Sequence, residues 1–187
     1  AVFANTNSFS DLSQAGWARN AVDTLLGADL IAGVGPGVFD PNADLTRAQF
    51  TTLLVKADGL APVASGATPF ADVAATAWYA PYVAAAYKAG LVAGVSPTSF
   101  DPNGDLTREQ MVVMLAKLLG SSAPSGNLGR FTDASSIAPW ARSGVAATVG
   151  AGLMSGYPDG AFRPTGISTR AQAAAVLAQY LAYVGKV

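Results

Sequence analysis

Apolar residues in this chain fall at helical rather than alternating spacing, and the same pattern occurs three times. Phe50, Leu53, Leu54 and Ala57, then Met111, Met114, Leu115 and Leu118, then Ala173, Val176, Leu177 and Tyr180 occupy positions i, i+3, i+4 and i+7. That spacing lines one face of an α-helix. Ahead of each run stands Thr-x-x-Gln, as Thr46 and Gln49, Thr107 and Gln110, and Thr169 and Gln172. It reads as a capping box, in which the Thr hydroxyl takes an N–H the helix leaves unpaired and the Gln side chain returns to the N–H of the Thr. Gly59, Gly120 and Gly185 are placed to stop these helices. A weaker pattern earlier in each copy predicts a first helix closed near Ala28, Gly90 or Gly152, with Trp17, Val22 and Leu26, Trp78, Val83 and Tyr87, or Trp140, Val145 and Val149 on one apolar face.

These patterns belong to one internal period. Phe9-Ser10-Asp11, Phe70-Ala71-Asp72 and Phe131-Thr132-Asp133 lie 61 residues apart, and the Thr-Arg helix starts recur after 61 and then 62 residues. Gly33, Gly94 and Gly156 each precede a phenylalanine, Phe39, Phe100 or Phe162, by six residues. A fixed period means one supersecondary unit used repeatedly. Segments 60–69 and 121–130, rich in Pro, Gly, Ser and Ala, read as linkers. The organisation expected is therefore a first repeat over 1–60, a second over 61–121 and a third over 122–187. A unit of about 60 residues buries too little of its own surface to be stable alone. The expected fold is mainly α: three helix-loop-helix repeats whose second helices meet in a central three-helix bundle. An open solenoid of stacked helix pairs is the alternative.

Composition narrows the chemistry. The 187 residues include no His and no Cys, which removes Ser-His and Cys-His nucleophiles, imidazole or thiolate zinc sites and disulfides together. Eleven Lys and Arg against twelve Asp and Glu leave a net charge of -1. No broad basic surface is available for nucleic acid, so no such partner is expected, and an anionic partner must be held by a few placed cations. No apolar run approaches the roughly 18 residues of a membrane span, so no membrane insertion is expected. Ala1 to Ala4 lack the charged start of a secretory signal, and any export signal has been removed or lies outside this sequence.

Asp40-Pro41-Asn42-Ala43-Asp44 and Asp101-Pro102-Asn103-Gly104-Asp105 imitate the opening of a calcium loop. Thr51 and Val112 stand where the closing glutamate belongs, and Arg163, Thr165 and Ile167 replace the acids of the third copy. The segments read as turns, and no metal or other cofactor is expected. Glu109 is the only glutamate and the aspartates sit mostly in repeated turns, which leaves no asymmetric carboxylate pair for glycoside hydrolysis and no expected catalytic residue.

Arg47, Arg108 and Arg170 open the second helix of each copy, where the helix dipole disfavours a cation by about 0.3–1 kcal/mol. Three disfavoured cations suggest a use in which the guanidinium and the exposed helix N–H groups converge on an anion such as a carboxylate. The competing reading pairs each arginine with a nearby aspartate, Asp44 or Asp105, or with the Phe-x-Asp aspartate of a neighbouring copy; the local pair cannot explain Arg170, because Ile167 stands where Asp44 and Asp105 do. Asp11, Asp72 and Asp133 read as Asx turns or as acceptors for sugar hydroxyls. Trp17, Trp78 and Trp140 read as core residues or as platforms for a sugar ring.

Together, Phe-x-Asp followed by a tryptophan, the stretch Gly156-Tyr157-Pro158-Asp159-Gly160-Ala161-Phe162-Arg163-Pro164, and the Thr-Arg-Ala-Gln helix start resemble a tandem of three S-layer homology modules over nearly the whole chain. The chain departs from the family in ending its usual Thr-Arg-Ala-Glu with Gln. Val34-Gly35-Pro36-Gly37 and Val95-Ser96-Pro97-Thr98 also replace Tyr-Pro-Asp-Gly. The resemblance implies a pseudo-threefold trimer around a three-helix core. It implies a secreted, non-enzymatic module at the cell envelope that binds a pyruvylated secondary cell wall polysaccharide containing N-acetylmannosamine. Such a module tethers a surface-layer or other surface protein, whose neighbours are reached through domains outside this sequence. The ligand grooves it implies lie between adjacent modules. Each combines an arginine (Arg47, Arg108 or Arg170), an aspartate (Asp11, Asp72 or Asp133), backbone N–H groups near Gly33, Gly94 or Gly156, and a tryptophan. Met154 and Ser155, which differ from Ile31-Ala32 and Val92-Ala93, are expected to make one groove unlike the others. A self-assembly or protein-interaction module is the alternative, suggested by the apolar, weakly charged composition.

Overall fold

Six α-helices, two per copy, form where the apolar spacing predicts them: α1 (Arg19–Gly27), α2 (Arg47–Asp58), α3 (Ala80–Lys88), α4 (Arg108–Leu119), α5 (Arg142–Gly150) and α6 (Arg170–Tyr183). The computed structural model describes residues 9–63 and 68–187. The reading of Ala1 to Ala4 and part of the first linker lie outside the described residues. Short 3-10 segments at Ser10–Ala18, Leu128–Arg130 and Ala134–Ser136 complete the regular structure among the described residues.

Each second helix opens with the predicted capping box. Gln49 N–H donates to Thr46 Oγ1 at 3.3 Å while Thr46 N–H donates to Gln49 Oε1 at 3.0 Å, and the pairs Thr107 with Gln110 and Thr169 with Gln172 repeat this. Gly59 ends α2 in the left-handed region, φ 84°, where a side chain is disfavoured. The first helices are shorter than the pattern suggests. Trp17, Trp78 and Trp140 precede them and do not join the buried face, which carries Val22 and Leu25 in α1, Val83 in α3 and Val145 in α5.

The first helix of a copy packs mainly on the second helix of the copy before it. α3 lies against α2, α5 against α4, and α1 closes the cycle against α6. An open stack would leave α1 and α6 at opposite ends. The second helices also meet, α2 touching α4 and α6, but their main partners are first helices and not one another. At the helix starts the backbone forms a closed ring. Leu106 N–H donates to the Leu45 carbonyl (2.9 Å), Ser168 N–H to that of Leu106 (2.8 Å) and Leu45 N–H to that of Ser168 (2.9 Å). In this ring Ser168 replaces a leucine, and its buried hydroxyl has no partner among the described residues.

Within a copy the loop is held by paired aromatics. Phe39, Phe100 and Phe162 are fully buried, and Phe9, Phe70 and Phe131 tilt against them at ring centroid distances of 5.7, 5.5 and 5.3 Å. This packing explains the repeated glycine. A Cβ on Gly94 would lie 2.3 Å from the Ser96 carbonyl oxygen and 2.6 Å from Phe70 Cε1, and one on Gly33 would lie 2.5 Å from Phe9 Cε1.

Candidate functional site

Each of the three arginines reaches out of its own copy into the loop of the next. Arg47 Nε donates to the Phe100 carbonyl (2.8 Å) and Nη2 to that of Ala93 (3.0 Å). Arg170 does the same across the closure, to Phe39 (2.9 Å) and Ala32 (2.8 Å). Arg108 Nη2 donates to the Ser155 carbonyl (2.5 Å), and its Nε is buried without a partner. The guanidinium carbons sit 4.8, 5.0 and 4.7 Å from the ring centroids of Phe100, Phe162 and Phe39. Burial pulls the Arg47 guanidinium below its ordinary pKa, opposed by the fields of Asp101 and Asp72.

This arrangement corrects the expectation that the guanidinium and the helix N–H groups converge on one anion. The Arg47, Arg108 and Arg170 N–H groups donate to the carbonyls of Gly104, Gly166 and Ala43. Those of Ala48, Glu109 and Ala171 donate to Pro102, Pro164 and Pro41, and the N–H after them goes to the capping threonine. The next copy's loop docks on the helix end and consumes its donors, so no N-terminal N–H remains for a ligand. A different set of carbonyls, those of Phe100 and Ala93, Ser155, and Phe39 and Ala32, takes the guanidinium donors and explains how a cation is tolerated in the first turn. What each guanidinium retains is Nη1, which has no acceptor among the described residues, although Arg47 and Arg108 as whole residues are only 6% and 7% exposed.

The aspartates are neither Asx turns nor free acceptors. Asp11 accepts from the N–H groups of Phe39 (3.0 Å) and Asp40 (2.7 Å), Asp72 from those of Phe100 and Asp101 (both 2.8 Å), and Asp133 from those of Phe162 and Arg163 (both 2.7 Å). They clamp the far end of the loop in their own copy. Partial desolvation works against the ionised form of Asp11, but the two N–H bonds and the nearby Arg170 outweigh it and hold its carboxyl below the ordinary value.

The fold therefore gathers candidates from two copies at each junction: Arg47 with Asp72 and Gly94, Arg108 with Asp133, Ser155 and Gly156, and Arg170 with Asp11 and Gly33. The N–H groups of Gly33, Gly94 and Gly156 have no backbone acceptor among the described residues. Met154 is drawn into the core, 7% exposed, so its side chain is not offered to a ligand, whereas Ser155 contributes the carbonyl that holds Arg108.

Trp17, Trp78 and Trp140 are 65%, 60% and 57% exposed. A core role is thereby excluded, and more than half of each residue's surface is open to solvent. Ala15 and Ala18, flanking Trp17, pack on Ala171, the neighbour of Arg170. Trp140 borders a cleft of about 440 Å³ between α4 and α5, lined also by Val113, Lys117, Ser143 and Gly144 and lying further along α4 than Arg108.

Two residues escaped the sequence reading as site candidates. The Tyr157 ring lies under two guanidiniums, with Arg163 at 4.2 Å and Arg108 at 4.9 Å from its centroid, and its hydroxyl accepts from Gln172 Nε2 at 3.0 Å. Arg163 also pairs with Asp159 at 2.7 Å. The available signal was register, since Arg163 takes the place that Asp40 and Asp101 hold in the other copies.

A family model described as the S-layer homology domain matches residues 8–51, 69–112 and 130–174. The chain belongs to that family. It is 33% identical over 94% of its length to an exoglucanase, XynX, of Acetivibrio thermocellus, of which it spans 16%. It is 37% identical over 82% of its length to a surface-layer 125 kDa protein of Lysinibacillus sphaericus, spanning 13% of that protein. With an S-layer protein of Bacillus thuringiensis subsp. finitimus the identity is 29% over 95% of the chain and 22% of the relative. The chain thus corresponds to less than a quarter of each of these relatives.

Proposed function

We propose that this S-layer homology triplet is a non-covalent cell-wall anchor whose inter-copy grooves hold a pyruvylated secondary cell wall polysaccharide. The observation that carries the reading is that every copy combines an arginine crossing into the next copy with an indole left exposed at the same register, Trp17 lying one alanine contact from the Arg170 junction. Folding alone gives no reason to expose three tryptophans at the same register. A sugar ring stacked on an indole, with its carboxylate on the remaining guanidinium N–H groups, accounts for both features.

Relatives named as enzymes and relatives named as surface-layer proteins share this segment. A function common to both is attachment, so the chain acts at the cell surface as a binding module joined to other domains. Retention on a repeating polymer is strengthened when more than one groove is engaged, because the second contact forms at high effective concentration.

Calorimetric titration with a pyruvylated wall fragment, and with the same fragment after the ketal is removed, tests the reading. Binding should be lost or strongly weakened with the ketal. Equal affinities would defeat the carboxylate account, and self-association without any glycan binding would favour an assembly module.

A further inference from the structure

The three grooves are built on one plan but do not carry the same charge. The residue after the buried phenylalanine is Asp40, Asp101 or Arg163, and all three hold the same left-handed backbone, φ 57°, 57° and 58°. Their side chains therefore leave the loop in corresponding positions. Arg170 feels Asp40 and Asp11, and Arg47 feels Asp101 and Asp72, whereas Arg108 feels the cation Arg163 together with Asp133. A carboxylate entering either of the first two grooves meets one cation and two acids. Entering the third, it meets two cations, Arg108 and Arg163, against two acids, Asp133 and Asp159, so the surplus of acid is gone.

Three further features fall on that same groove. Arg108 Nε is buried and unpaired, while the equivalent atoms of Arg47 and Arg170 are occupied by phenylalanine carbonyls. Tyr157 holds both guanidiniums against one ring, a like-charged arrangement that an anion relieves. Asp159, which partly neutralises Arg163, does so through an exposed pair, with side chains 52% and 53% accessible, and such pairs give way easily. The cleft beside Trp140 is separate from these features, farther along α4 and lined by neither Arg108 nor Arg163. Four residues after the tryptophan stands Gly144, where the other copies have Ala21 and Tyr82.

Resting on the anchoring reading, we infer that the groove between the second and third copies is the one that selects the anionic sugar, and that Arg163 is a ligand-contacting residue there. The other two grooves, each with a surplus of acid, contribute apolar and hydroxyl contacts but do not hold the charged substituent. The ligand class is a glycan bearing a carboxylate, seated on Arg108 and Arg163 beside the Tyr157 ring.

The test is calorimetric titration of the intact chain with a pyruvyl-ketal N-acetylmannosamine monosaccharide. One high-affinity site per chain is expected. Arg163→Asp, which copies the acid of the other grooves, should weaken that site by roughly tenfold or more with an unchanged thermal midpoint. Asp101→Arg, at a position whose backbone already matches that of Arg163, should add a second site. Several equal sites that ignore Arg163→Asp overturn the groove assignment and leave the anchoring reading in place. Failure of the unaltered chain to bind the monosaccharide, with binding of the wall fragment retained, also overturns the assignment alone. Failure to bind either overturns both.

Discussion

Arg170 Nε donates to the carbonyl of Phe39, 131 residues earlier in the chain, at 2.9 Å. Together with the bond from Nη2 to Ala32 and the packing of α6 on α1, it joins the last copy to the first. The same side chain is thus both a fastener between copies and the cation beside a groove, and its replacement cannot separate the two roles.

Arg→Ala changes should therefore lower stability as well as binding. Arg47→Ala, which strips two carbonyls of a charged donor at a buried junction, should cost about 3 kcal/mol, and Arg170→Ala about 2 kcal/mol. Urea unfolding measures this. Arg47→Lys should recover little, since an ammonium cannot span both carbonyls.

Because each first helix packs on the preceding copy, no copy's helices are covered by that copy alone. The chain should unfold in one transition, with circular dichroism and tryptophan fluorescence coinciding and calorimetric and van't Hoff enthalpies equal. Separate transitions would contradict the cyclic packing.

Asp72, like Asp11, contributes to the acid limb. Burial opposes its ionised form, but the bonds from Phe100, Ser99 and Asp101 prevail and hold its carboxyl below the ordinary value of 3.8 in the folded state. The stability it contributes is complete above about pH 4 and is lost as pH falls through the lower, folded value. Asp72→Asn should reduce stability at neutral pH and flatten the decline below pH 4 in a series of denaturant titrations.

Tyr180 governs the alkaline limb. Burial first, then Asp58, whose Oδ1 accepts from the phenol at 3.2 Å, raise its pKa from 10.0 to about 12. Its contribution is fully present below pH 10 and drains away as pH rises toward 12, so Tyr180→Phe should flatten stability over that window. Tyrosinate absorbance should show one residue titrating late.

Trp140→Ala should leave stability within about 0.5 kcal/mol, because the indole is mostly exposed. Retention on the wall glycan should weaken by roughly five- to tenfold, the loss of one stacking platform. A fall in thermal midpoint without loss of binding would return the residue to a structural role.

The period, the six helices, the capping boxes and the glycine stops could all be read from the chain, because each rests on bonds or periodicities contained within a few consecutive residues. The partners of those elements could not. A repeated motif looks the same whether its helix packs in its own copy or against its neighbour, and only the closed structure shows α1 on α6. The arginines were legible as unusual, but the destinations of their donors lie 46 to 138 residues away. For the same reason the tryptophans, apolar in pattern, are exposed in fact: exposure depends on which surfaces arrive to cover a side chain, and that is decided by contacts between copies that local spacing does not encode.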